Sequence, residues 1–424
     1  MDKRLRWSLI VLVCMYLGYM SLMVCRNTII VASPAMIADQ SLNLDKAGYG
    51  RLMAYHSAGG VLGKAVSGFA VDRWGGRAIF LAVLLLTAGT TAAFAVVKNF
   101  AAMVGLNLTG QAAKSGGWPA VAAIIRSWYS PDQHGRVWGV ISTSSRVGVM
   151  VATLLLGQLM VWEVPWRHLF LISFGLGAMV FLLSFFLLKS GPEAVGLSLL
   201  PQTTGAELEP RPHPLDGHTT KQAALRFFHS KRVWLIAISM ALTTILMDFL
   251  NFIPVYLAES LKLGSGVAGK AATAFPAGCF VAVLAAGYLY DKLSRKNRIF
   301  GIGGMLFSGV ISLGVLWALP RLGLTPDNSY YLAVFCIFLF GLAVAPAYYI
   351  PMSVFSISYG GPFCGFLICL LDMFGYGGAF VFNYLGGSLA QEFGWGVFLT
   401  TLMAITLTST ITMVSFLYLE SKSE

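Results

Sequence analysis

Six ionisable side chains lie deep within apolar stretches of the sequence: Arg26, Lys64, Lys114 and Arg146 in its first half, Asp248 and Asp372 in its second. A charge surrounded by hydrocarbon is costly, so each is a functional candidate by default. The chemistry they suggest is recognition of a negative group. Arginine holds its proton and presents a planar fork that matches phosphate or carboxylate at two points. Four cations against two acids leave a positive surplus that an anion would satisfy. A second reading pairs the cations with Asp248 and Asp372 as neutralising partners. Lysine stems can also carry their charge out to an interface. The two carboxyls can equally take up protons, because desolvation disfavours their charged form. His56 shares a stretch with Lys64 and reads either as a satisfied helix histidine or as a proton relay.

The elements that must hold these residues are membrane spans. Apolar residues make up 57% of the 424 positions and charged residues only 11%, with a mean hydropathy of +0.74. Soluble domains carry roughly 25% charged residues, so lipid must be the solvent for most of this chain. Apolar stretches cover 7–36, 49–71, 78–97, 101–126, 136–160 and 168–189, then 233–257, 268–290, 299–319, 330–351, 361–388 and 396–418. A span needs about 20 apolar residues. The pattern predicts six spans in 1–189, a polar, proline-rich loop over 190–231, and six more in 232–424. Helical rise places Lys64, Arg146 and Lys114 about 12, 15 and 18 Å inside Asp72, Arg136 and Arg126, near the middle of a ~30 Å core.

A net charge of +11 could suggest a nucleic-acid partner, but the basic residues gather in alternate short segments. Lys3, Arg4 and Arg6 precede the first span, Arg73 and Arg77 follow the second, and Arg211 to Arg232 hold five in the long loop. That distribution sets topology, with both termini and the long loop cytoplasmic. The six cysteines all fall in apolar stretches, with no spacing for a metal or a disulfide framework. No nucleophile motif or phosphate-cradling loop suggests an enzyme.

The halves repeat. Gly68, Asp72, Arg73 and Arg77 follow the second span as Gly287, Asp291 and Lys292 follow the eighth. A glycine at such a place would let two helices approach closely, and the acid could cap or bridge helix ends. Two copies at equivalent places point to a parallel structural repeat.

These and further segments resemble the organophosphate:phosphate antiporter branch of the major facilitators over nearly the whole chain. The similarity lies in Arg26-Asn27 with Ser33-Pro34, in Gly63-Lys64 with Gly68 and Asp72, and in Gly117-Trp118-Pro119 with Arg126 and Gly135. It continues in Pro192 with Gly196-Leu197, in Phe374 to Gly378 and in Phe393-Gly394-Trp395. The resemblance implies an all-α membrane protein of twelve transmembrane helices in two pseudo-symmetric six-helix bundles. It also implies that Arg26 and Lys64 face a central cavity and touch an anionic group. The sequence departs from the family where Leu246 replaces a basic residue in the seventh span, where Lys114 replaces glutamine and where Arg146 replaces asparagine. Those departures argue against a symmetric two-arginine clamp and move the basic site into the first half.

The expected activity is secondary transport of a small organic anion, phosphoester or carboxylate, by alternating access. Arg26, Lys64, Lys114 and Arg146 bind it, while Asp248 and Asp372 carry protons or pair charge. Coupling is to protons or a counter-anion, in a monomer without cofactor or metal, in the inner membrane of a bacterium. The rivals are a carrier of amino acids or other zwitterions, and a membrane sensor of a sugar phosphate.

Overall fold

A chain this apolar must satisfy its backbone within itself, and the helix does so span by span. The computed structural model describes residues 3–198 and 213–423, and those residues form helices without a strand. In chain order they are α1 (Lys3–Ala38), α2 (Lys46–Trp74), α3 (Gly76–Phe94), α4 (Phe100–Lys114), α5 (Gly117–Trp128), α6 (Pro131–Val161) and α7 (Trp166–Leu187). Then follow α8 (Thr220–His229), α9 (Lys231–Asp248), α10 (Ile253–Ser260), α11 (Ser265–Ala271), α12 (Ala274–Lys292), α13 (Arg295–Ala318), α14 (Pro326–Gly360), α15 (Cys364–Glu392) and α16 (Gly394–Ser423).

Among the described residues nine stretches are long and apolar enough to cross a membrane, and one of them, Pro326–Glu392, holds both α14 and α15. The α2 helix, with His56, Lys64 and many glycines, is less apolar; α4 and α5 are each too short alone. With these the chain has its twelve spans.

Three spans expected to be continuous are each two helices, and proline explains the breaks. A proline removes the bond to the carbonyl four residues earlier and crowds that carbonyl. Pro119, Pro254 and Pro276 point back to Ser115, Leu250 and Ala272. Those residues lie at the α4–α5 junction, in the 3₁₀ turn Phe249–Asn251 before α10, and between α11 and α12. Pro34, Pro346 and Pro351 sit inside α1 and α14 without ending them.

The loop expected over 190–231 contains a further helix, α8. Thr219 and Gln222 close its first turn with a reciprocal capping box, and Phe227 is buried with its ring 6.0 Å from that of Tyr359.

The chain divides into two compact units, one of Met1–Leu44, Tyr55–Leu208 and Gly264–Lys270, the other of Asp45–Ala54, Glu209–Leu263 and Ala271–Glu424. Within the first, α1 packs on α6 and α7, and α3 on α4 and α7. Within the second, α9 packs on α15 and α16, and α13 on α14 and α16. These are the same pairings six spans later, so the repeat is one of packing as well as of sequence. Met15, Tyr19, Phe80, Leu84, Ile124 and Trp128 form much of the first unit's core.

In the motif that ends α2, Asp72 and Arg73 are exposed. Arg77 donates to the carbonyls of Leu188 (2.6 Å) and Phe185 (3.0 Å), closing the end of α7. The cation thus meets the carbonyl-rich helix terminus. At Gly68 a Cβ would meet nothing within 4 Å among the described residues of its own unit. The side chains of Asp291 and Lys292, like Gly287, lie outside the described residues.

Candidate functional site

The close approach expected at Gly68 occurs earlier on α2. A Cβ on Gly59 would overlap the backbone of Leu108, and one on Gly63 the backbone of Ala112. Four-residue spacing puts both glycines on one face, so α2 lies directly against α4. In the second unit Gly278 and Gly341 play the same part where α12 crosses α14.

That contact brings His56 of α2 to Asn107 of α4, with Nδ1 and Oδ1 2.9 Å apart. From α1, the Nε–H of Arg26 donates to Nε2 of His56 at 3.2 Å. Residues flanking Arg26 fix α1 in depth: Thr28 bonds the Ser173 hydroxyl of α7 at 2.7 Å, and the Cys25 thiol reaches the Ser173 carbonyl.

These side chains open onto one cavity of about 40 Å³, also lined by Thr87, Gln111 and Lys114, room for a few water molecules. Asn107, Gln111 and Lys114 are spaced by four and three residues, so they share one face of α4. His56 and Lys114 are each 6% exposed, and Lys114 lies within electrostatic reach of His56. Gln111 is 1% exposed, and neither its amide nitrogen nor its oxygen has a hydrogen-bond partner among the described residues. The Thr87 hydroxyl shares that condition. A buried polar group left unsatisfied costs about 1–3 kcal/mol, so polar atoms turned into such a cavity are positioned to meet a polar guest. No Asp or Glu is among the residues lining it.

The structure therefore gathers two of the four basic candidates. Lys64 does not line this cavity. Arg146 turns Nη1 back to its own helix, donating to the Ser142 carbonyl at 2.7 Å and the Ser145 hydroxyl at 3.1 Å. The neutral polar partners Asn107, Gln111 and Thr87 were not anticipated.

In the second unit Asp248 ends α9, where the span breaks. Its Oδ2 accepts from Asn383 Nδ2 at 2.6 Å, and Asn383 Oδ1 accepts from Asn251 at 3.1 Å. Tyr49 donates to the Asn251 carbonyl at 2.9 Å, completing a buried polar chain. Tyr348 lies within electrostatic reach of both Asp248 and Asp372. Replacing Asn383 by leucine should destabilise the protein by roughly 1 kcal/mol, since buried groups lose partners but helices in lipid find others. Thermal unfolding in detergent checks this; a midpoint unchanged from the parent would show that the chain of amides contributes nothing to stability.

The sequence matches the major facilitator superfamily over residues 15–313. The chain belongs to that superfamily. Among the relatives of this facilitator is a probable hexose phosphate transport protein of Chlamydia muridarum, 28% identical over 95% of this chain and 89% of the relative. Another is the membrane sensor protein UhpC of Escherichia coli, 26% identical over 93% of this chain and 86% of that one. A crystal structure of the nucleoside transporter NupG superposes with a TM-score of 0.72 at 16% identity, covering 97% of this chain and 99% of NupG. That likeness establishes the fold. The facilitator is an integral, multi-pass membrane protein.

Proposed function

We propose that this facilitator is a secondary transporter of a small organic anion, and that Arg26 and Lys114 hold the anionic group. One observation carries the assignment. Two cations converge on a single cavity with a buried amide that has no hydrogen-bond partner among the described residues, and none of the described residues lining it is a carboxylate. In a low dielectric, like charges so placed favour a guest of opposite sign. In this reading the anion's head is held by Arg26 and Lys114 rather than by Lys64 or Arg146. The cavity accommodates a phosphate or carboxylate head, so the organic part projects from it or the cavity widens on loading.

The relation to a hexose phosphate transport protein makes a phosphoester the first candidate. The relation to UhpC supports a second reading, a receptor that binds such an anion without moving it. Reconstitution into liposomes separates them. Counterflow should be seen for at least one of glucose 6-phosphate, glycerol 3-phosphate, glucuronate and glutamate, and not for neutral glucose. An anion that raises thermal stability yet is never exchanged would establish the receptor. Exchange of glucose but of no anion would overturn the assignment.

A further inference from the structure

We infer that His56 is the proton carrier of this site, and that it binds a proton only while an anion occupies Arg26 and Lys114, so that the two move together. This rests on the anion reading above and adds to it the coupling ion.

The hydrogen bonds carry the argument. A guanidinium has donors and no acceptor. Since Arg26 Nε–H points at Nε2 of His56 at 3.2 Å, that nitrogen presents a lone pair. The ring is then neutral with its proton on Nδ1, which donates to Asn107 Oδ1 at 2.9 Å. Both nitrogens are committed. A proton arriving at Nε2 would set one N–H against another and add a third positive charge beside Arg26 and Lys114.

The groups around the ring agree on the sign. From α1 come Arg26 and Cys25, from α4 Lys114 and Asn107; α3 offers threonines and α7 offers Phe170. Among the described residues lining the cavity there is no carboxylate to offset an imidazolium. An anion on Arg26 and Lys114 changes both conditions. It draws the guanidinium toward itself, releasing Nε2, and its charge offsets that of the ring. Nε2–H then becomes a further donor to the anion. When the anion leaves, the proton is repelled and leaves also. Proton and anion therefore raise each other's affinity, and that relation is reciprocal. Histidine suits the task because its ordinary titration falls near neutral pH.

The test uses the full chain in liposomes containing a pH-sensitive dye, with glucose 6-phosphate and glucuronate as separate probes. Glucuronate stays ionised above about pH 5, so its own protonation cannot mimic coupling. With one proton per anion, a one-unit gradient, acidic outside, should concentrate the exchanged anion up to roughly tenfold and acidify the lumen. His56→Gln keeps an acceptor for Arg26 but does not titrate. It should exchange anion by counterflow at a reduced, measurable rate with the gradient response gone. Parent exchange indifferent to the gradient, or a response that survives in His56→Gln, overturns the inference and leaves anion transport standing. Exchange by the parent of none of the four anions named for the anion reading overturns both. Should His56→Gln fail to insert, Asn107→Asp decides. A carboxylate accepting from Nδ1 favours the charged ring, so the pH at which half the gradient-driven uptake is lost should rise by roughly one unit. An unmoved midpoint overturns the inference.

Discussion

Arg26→Lys is expected to lower counterflow of the organic anion roughly tenfold or more, although the charge is kept. The guanidinium divides its donors. Nε faces His56 at 3.2 Å, which leaves the two Nη groups as a planar fork for the cavity. Lysine has a single nitrogen, compact and strongly hydrated. An ammonium therefore offers the anion one point of attachment where the guanidinium fork offers two. Losing one arm of a two-pronged contact to a charged oxygen is worth about 1.5–3 kcal/mol, so tenfold is the lower end of the expected loss. Arg26→Ala should lose more, because a cation beside Lys114 disappears as well. The measurement is initial exchange rate per inserted transporter. A lysine variant that matches the parent, properly inserted, would show that Arg26 is not the recognition residue.

How far this site could be read from the sequence depended on the kind of residue. Arg26 and Lys114 announce themselves, because a charge in an apolar span has few uses. Asn107, Gln111 and Thr87 do not, since neutral polar residues occur in many spans for local reasons. Thr91, for example, simply bonds the Thr87 carbonyl of its own helix at 2.7 Å. What separates Gln111 from Thr91 is the absence of a partner among the described residues, which only coordinates reveal. The 4,3 spacing of Asn107, Gln111 and Lys114 was legible as one helix face, but the helix it faces was not. His56 could be read either way, because its partners come from α1 and α4. The breaks at Pro119, Pro254 and Pro276 were accessible in principle, yet Pro34 and Pro346 lie inside unbroken helices. Proline alone therefore does not decide. The helix α8 was announced by Thr219 and Gln222, but its polar, proline-rich surroundings concealed it.

Glycine gives the sharpest contrast between pattern and packing, and the second large effect. Gly68 belongs to the repeated motif, and a Cβ on it would meet no described residue of its unit, whereas Gly59 and Gly63, outside it, hold α2 against α4. Gly63→Val should prevent stable folding or leave a protein several kcal/mol less stable. The new side chain meets the Ala112 carbonyl and Cα and the Ser115 Cβ, which belong to a neighbouring helix and cannot turn aside. Overpacking against such neighbours costs about 1–3 kcal/mol per site, sometimes more, and valine also loses rotamer freedom in a helix. Gly59→Ala is the milder form, because alanine adds one carbon where valine adds three, although that carbon still falls on the backbone of Leu108. It should force α2 and α4 apart by some tenths of an ångström. Such a shift stretches the 2.9 Å contact between His56 and Asn107 toward the limit of a hydrogen bond. The proton-linked part of transport should therefore suffer before the fold does. Gly68→Ala should behave oppositely, with stability unchanged or raised by up to about 1 kcal/mol, because alanine favours a helix over glycine. Thermal unfolding of the three purified variants decides the order. If Gly68→Ala unfolds as readily as Gly63→Val, then the close approach of α2 and α4 is not what holds this site together.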